Sequence, residues 1–209
     1  MSRALVFVGA FNPVTRAHVE TADYARRELG FDQVIFVPSK QEYIRHDQEK
    51  DYAFSDDLRL HTLQKTAAAR PWMLVSDYEL ELDHQPRTWQ TLQALRDKTG
   101  MELKLLLGSD KLNEIQHGWR HIPEICREFG IAVMSRNGDD TAAIINSDPY
   151  LVSLSPWLTV VNVPDVYQHI SSSKVRQALA AGELDTAAEY LPEEIHDLIP
   201  VMRKMETER

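Results

Sequence analysis

Apolar residues fall along this chain in short unbroken runs, separated by stretches in which they return every three or four positions. Ala4 to Val8 is the first run and is closed by Gly9; with no polar residue to face solvent, it predicts a strand buried on both faces of a parallel sheet. From about Thr15 to Leu29 the period lengthens. Ala22, Ala25 and Leu29 share a helical face, and Gly30 stands where a helix C-cap belongs. Val34 to Pro38 again reads as a strand, and Ser55 caps a helix whose first turn carries Asp56 and Asp57, where carboxylates complement the helix dipole. Trp72 to Val75 reads as a strand, Thr88 to Lys98 as a helix, and Glu102 to Leu107 as a strand stopped by Gly108. Ile131 to Met134 follows a helix containing Ile125 and Cys126, and Leu158 to Val163 ends the series.

Short strands alternating with helices are the signature of right-handed βαβ units. The predicted fold class is therefore α/β: a doubly wound, open parallel sheet with helices on both faces. From Ser171 onward the pattern is helical only, interrupted at Gly182 and at Leu191-Pro192. The expected organisation is an α/β domain over residues 1–170 and a small helical segment, 171–209, packed on it. In open α/β sheets ligands bind beyond the carboxyl ends of the strands, so the loops after Val8, Val37, Leu107 and Val163 are the places to look for chemistry.

Composition narrows the field. With 209 residues, 43% hydrophobic and 26% charged, the chain suits one globular domain rather than a disordered one. Its 23 Lys and Arg against 32 Asp and Glu give a net charge of −9, which repels DNA and anionic membranes. A small phosphorylated ligand remains admissible, because a local cluster of amides and cations overrides distant, salt-screened charge. Cys126 is the only cysteine, which excludes an intrachain disulfide and a cysteine zinc cage and suits a reducing compartment. The opening residues lack a secretory signal, and no apolar run approaches the roughly 20 residues needed to cross a bilayer. The expected location is the cytoplasm, with no nucleic acid or membrane as partner. A homo-oligomer is admitted.

The first loop reads Gly9-Ala10-Phe11-Asn12-Pro13-Val14-Thr15-Arg16-Ala17-His18. Its single glycine excludes both the G-x-G-x-x-G dinucleotide fingerprint and the Walker P-loop. What remains is a buried strand, a turn, and a Thr and a His three apart at a helix start, where unpaired N–H groups and the helix dipole favour anions. A lone His at such a place is ordinarily a surface residue; this one stands in register with Gly9, Phe11, Pro13 and Thr15. Near the other end, Ile170-Ser171-Ser172-Ser173-Lys174-Val175-Arg176 offers consecutive hydroxyls before a helix and an Arg one turn on, an arrangement that also occurs as plain capping.

The first segment resembles the G-x-F-x-P-x-[HT]-x-x-H signature, and the second the Ile-Ser-Ser-[ST]-x-[ILV]-Arg signature, of the nucleotidyltransferase superfamily. That superfamily includes the nicotinamide/nicotinate mononucleotide, pantetheine-phosphate and glycerol-phosphate transferases. Many members have His where Thr15 stands and Gly where Ala17 stands; the Thr-x-x-His form resembles the pyridine mononucleotide adenylyltransferases. The resemblance spans roughly Leu5 to Leu179, with these two segments its specific parts.

It implies transfer of the adenylyl group of ATP to nicotinamide or nicotinate mononucleotide, with pyrophosphate released. His18, Thr15 and Arg176 are the implied catalytic residues. Gly9, Ala10, Phe11, Ser171, Ser172, Ser173, Gly108 and Asp110 would contact ATP alongside His18 and Arg176. Asn12, Lys40, Thr88, Trp89 and Trp119 would contact the acceptor, with Arg45 a rival to Lys40 for its phosphate; the usual Pro-Pro-His-Lys segment is absent. Arg87 stands where the family has an aromatic residue before its Thr. Magnesium is expected mainly on the ATP phosphates, with no protein metal site. His117 and His121 have helical metal-pair spacing, but Gly118 lies between them and no third ligand is evident. The readings left open are another adenylyl- or cytidylyltransferase of the superfamily, such as a pantetheine-phosphate adenylyltransferase, and a non-catalytic nucleotide sensor.

Overall fold

The computed structural model describes residues 2–46, 52–115, 119–135 and 139–208. Its strands are β1 (Arg3–Gly9), β2 (Gln33–Pro38), β3 (Met73–Val75), β4 (Glu102–Gly108), β5 (Ile131–Met134) and β6 (Leu158–Val161). They form one six-stranded sheet in the order β3-β2-β1-β4-β5-β6. The order runs outward from β1 in both directions, which is the doubly wound α/β arrangement with its topological switch at β1. The chain divides into two compact units, one drawing on Met1–Val8, Thr21–Ile35 and Pro86–Val166, the other on Gly9–Glu20, Phe36–Gln85 and Tyr167–Arg209.

In the first unit β1 pairs with β4 in parallel from Arg3↔Glu102 to Phe7↔Leu106, β4 with β5 from Leu105↔Ile131, and β5 with β6 from Ile131↔Leu158. Ala4, Leu5, Val6, Leu105, Leu106 and all of β5 are buried, as unbroken apolar runs require. β6 stops at Val161, two residues short of the expected end. β5 has run out at Met134, so the Val163 N–H donates to Ser135 Oγ (3.1 Å) rather than to a strand. The helix Thr88–Thr99 ends at Gly100 in the left-handed conformation, φ 65°, where a Cβ would be strained. Two helices absent from the hydropathy reading, Thr141–Asn146 and Pro149–Leu154, start at Asp140 and Asp148, whose carboxylates accept backbone N–H bonds.

In the second unit Ser55 Oγ accepts the Leu58 N–H at 3.3 Å and starts the helix Asp56–Ala68. A short helix, Gln41–His46, follows β2. The carboxyl-terminal residues form the helices Ser172–Ala181, Leu184–Tyr190 and Ile199–Thr207, with the first break at Gly182 (φ 77°) and the second at Leu191-Pro192, as the pattern predicts. They are tied to the rest of this unit by Arg16 Nη1 donating to the Glu189 carbonyl (3.1 Å), the Tyr52 hydroxyl donating to the Met205 carbonyl (3.1 Å) and the Lys65–Asp197 ion pair (2.6 Å). Among the described residues no helix is long and apolar enough to cross a membrane.

Candidate active site

The second unit holds both motif segments. β1 delivers the chain at Gly9, and the phenyl ring of Phe11 lies so close that a Cβ on residue 9 would sit 3.2 Å from it. Close approach of a ring, rather than an unusual φ, is what favours glycine there. Phe11 itself has a left-handed backbone, φ 42°, a conformation that non-glycine residues adopt at a cost. Its buried ring meets the His18 imidazole edge-on, centroids 5.3 Å apart, and Phe36 at 5.4 Å. The Asn12-Pro13 bond that follows is cis.

Thr15 immediately precedes the helix Arg16–Glu28, and its carbonyl accepts the Val19 N–H. Buried, it works on His18 twice: its N–H donates to Nδ1 of the ring at 3.1 Å, and its hydroxyl lies 2.8 Å from the same nitrogen. A backbone N–H only donates, so Nδ1 must accept and the ring proton sits on Nε2. The pairing therefore assigns the tautomer and presents Nε2–H as the donor. Their spacing of three lets Thr15 and His18 face one phosphate; in the structure the Thr15 hydroxyl lies against the ring.

The second segment packs on the first loop. Ser171 caps the helix Ser172–Ala181, its hydroxyl accepting the Lys174 N–H at 3.3 Å. Ser172 Oγ donates to the Pro13 carbonyl at 2.8 Å, Arg176 Nη1 donates to the Asn12 carbonyl at 2.6 Å, and Nη2 reaches the exposed Ser173 hydroxyl at 3.4 Å. Two stretches more than 150 residues apart in sequence thus meet. The Arg176 guanidinium and the amino end of a ten-residue helix are held against the loop that leads to His18.

Arg59 escaped the sequence reading. On the page it is one charged residue of the helix Asp56–Ala68; in the structure it is fully buried. Nη1 donates to the Ala10 carbonyl (2.7 Å), Nη2 to the Ser39 carbonyl (2.6 Å) and to the Asp56 carboxylate, and Nε to the Phe54 carbonyl (3.1 Å). Burial lowers its pKa, and the neighbouring Asp56 works against that shift. No periodicity marks such a residue, because the carbonyls it serves lie in three separate segments.

Other expected contacts are engaged within the same unit. Lys40, expected to reach the acceptor phosphate, instead donates through Nζ to the Leu80 (2.9 Å) and Leu82 carbonyls; Arg45 is exposed on the helix Gln41–His46. The Asn12 side chain is buried and bonded at both ends, Nδ2 donating to the Tyr52 carbonyl (3.0 Å) and Oδ1 accepting the Phe54 N–H (2.8 Å). It holds the loop's shape.

The remaining candidates lie in the first unit. Gly108 ends β4, and Asp110 is exposed in the turn Ser109–Lys111, beside the buried Ser109 whose hydroxyl donates to Asp139 at 2.9 Å. Thr88 opens its helix, and half-buried Trp89 stacks on His121, centroids 4.9 Å apart at 24°, with Nε1 donating to Glu128 at 3.3 Å. Trp119 is half-buried. His117 lies outside the described residues. Among the described residues no group of three or more His, Cys, Asp or Glu side chains is arranged to hold a metal ion.

An Nε2–H donor, a half-buried guanidinium, hydroxyls and a helix amino end tied to one loop are groups of the kind that can bind a polyanion, with no nucleophile–base pair among them. Comparison with known proteins agrees with this chemistry. Residues 6–178 match the model of a family described as cytidylyltransferase-like. A protein of Dehalococcoides mccartyi called "Probable nicotinate-nucleotide adenylyltransferase" is 31% identical over 179 residues, covering 84% of each chain. One of the same name from Bordetella pertussis is 31% identical over 179 residues, covering 83% of this chain and 84% of its own. Among solved structures, the nicotinic acid mononucleotide adenylyltransferase of Plasmodium falciparum complexed with NaAD shares the fold, with a TM-score of 0.73 at 19% identity over 96% of both chains.

Proposed function

Since the chain belongs to the cytidylyltransferase-like family, we propose that it is a nucleotidyltransferase joining the adenylyl group of ATP to a pyridine mononucleotide and releasing pyrophosphate. Nicotinate mononucleotide is the favoured acceptor, on the names of its relatives, and deamido-NAD the product. The observation that carries the reading is the 2.6 Å bond from Arg176 Nη1 to the Asn12 carbonyl, which sets the guanidinium against the loop that bears His18.

An oxygen of the acceptor's 5′-phosphate attacks the α-phosphorus of ATP. The new P–O bond forms as the bond to the leaving pyrophosphate breaks. The attacker is already an anion at neutral pH, so the protein's work is to align two polyanions and stabilise the charge between them. His18 donates from Nε2 to an α-phosphate oxygen, held by Thr15; Arg176, Ser172 and Ser173 take the β- and γ-phosphates. Each charge-assisted contact contributes about 1.5–3 kcal/mol. Gly9, Ala10 and Phe11 line the same loop. Magnesium would arrive on the triphosphate and would neutralise charge on the departing pyrophosphate. A cytoplasmic location accords with the single, buried cysteine.

The test is pyrophosphate release from magnesium ATP with nicotinate mononucleotide, nicotinamide mononucleotide or phosphopantetheine supplied in turn. Turnover highest with nicotinate mononucleotide is expected. Turnover with phosphopantetheine alone, or ATP binding without pyrophosphate release for any acceptor, would overturn the reading.

A further inference from the structure

The fully buried guanidinium of Arg59 does more than fill space. It collects the carbonyls of Ala10, Ser39 and Phe54 and the carboxylate of Asp56, while Ser39 N–H donates to the Gly9 carbonyl at 3.0 Å. The loop after β1 is therefore strapped to the chain after β2 on both sides of one cation. The strap falls at the peptide joining Ala10 to Phe11, beside a residue whose left-handed φ of 42° is held at a cost. That peptide is planar and trans, so its C=O and N–H point in opposite directions. Pulling the Ala10 carbonyl toward Arg59 turns the Phe11 N–H away from it. Ser172, which donates to the Pro13 carbonyl, aims the Val14 N–H by the same geometry.

We infer that Arg59 is a positioning residue for the triphosphate: by clamping the Ala10 carbonyl it pre-sets the first loop so that the Phe11 amide and the His18 ring, which packs on the Phe11 phenyl, face the anion before ATP arrives. The assignment rests on the ATP-dependent reading above. It predicts an effect on ATP that is separable from any loss of fold, because misplacing a preorganised donor by a fraction of an ångström weakens anion binding and turnover. Asp56 shares the task, since its Oδ1 holds both the guanidinium and the Gln41 N–H.

The experiment compares the whole protein with Arg59→Lys and Asp56→Asn. Folded fraction is followed by circular dichroism and thermal unfolding, affinity for a non-hydrolysable ATP analogue by calorimetry, and kcat with both KM values by pyrophosphate release. Lysine keeps the charge but not the fork, so affinity for the analogue and kcat per folded molecule are each expected to fall about tenfold or more, with the acceptor KM within about twofold of the parent. A purely structural role would lower Tm and leave both quantities unchanged per folded molecule; that result overturns the assignment. If Arg59→Lys does not fold, Asp56→Asn decides: severalfold weaker analogue binding supports the clamp, and parental binding and kcat overturn it. Should no mononucleotide accept an adenylyl group, the proposed reaction fails, while the analogue affinities still judge Arg59.

Discussion

Thr15 holds the imidazole of His18 by a single nitrogen, its N–H 3.1 Å and its hydroxyl 2.8 Å from Nδ1. The tautomer that results carries its proton on Nε2, so the two residues act as one donor rather than two. His18→Ala is expected to lower kcat by on the order of a hundredfold with the thermal transition nearly unmoved, as for loss of a transition-state donor. Thr15→Val keeps the backbone N–H and loses the hydroxyl, for a decrease of about tenfold. Thr15→Ser restores it. Steady-state rates at saturating ATP decide, and parental turnover in the histidine variant sinks the assignment.

Arg176 spans the Asn12 carbonyl and the Ser173 hydroxyl with a planar fork that an ammonium cannot copy. Lys174, two residues away, does not replace it, because its own Nζ donates to the His169 carbonyl at 2.8 Å. Arg176→Lys should reduce kcat/KM for ATP by roughly 10- to 150-fold, the equivalent of about 1.5–3 kcal/mol. A titration of rate against ATP concentration measures this, and a change of less than about threefold would be inconsistent with a phosphate contact.

Asn12 bridges the Tyr52 carbonyl and the Phe54 N–H from a buried position. Asn12→Ala strands the buried Phe54 N–H, at a cost of about 1–3 kcal/mol. Chemical denaturation should show a lower midpoint at unchanged slope. Midpoints equal within error would show that water replaces the amide.

Burial pushes the Cys126 thiol from its ordinary 9.0 up to about 11. The folded chain therefore keeps a proton that the unfolded chain releases, and stability falls as pH rises from 9.0 towards about 11. Two results follow: a disulfide reagent at pH 8 should label the native protein only as fast as it unfolds, and Cys126→Ala should flatten the alkaline limb of the stability profile. Immediate labelling under native conditions would contradict the buried thiol.

Much of the framework was already written in local patterns. Ala4 to Val8 and Ile131 to Met134 have no polar face, and a strand with no polar face must lie inside a sheet; Glu102 to Leu107 is apolar throughout its second half, with Glu102 and Lys104 polar at its start, and each of the three is a strand in the structure. Gly30 and Gly182 mark helix ends because the left-handed turn there strains any other residue. Helices of one or two turns were illegible, as at Gln41–His46 and Tyr78–Glu81, since so few residues carry no period.

The motif residues His18, Thr15, Ser172 and Arg176 were identifiable from the chain alone, because their spacing is local. Their working relations were not. Which carbonyl holds Arg176 and which carbonyls make the burial of Arg59 tolerable depend on hydrogen bonds between segments from 20 to 164 residues apart; which nitrogen of the ring the Thr15 hydroxyl meets is set by the turn's geometry, which spacing does not give. A linear pattern records which side each residue prefers, apolar or wet; a buried cation contradicts that preference, and only the fold supplies the carbonyls and the carboxylate that make it stable.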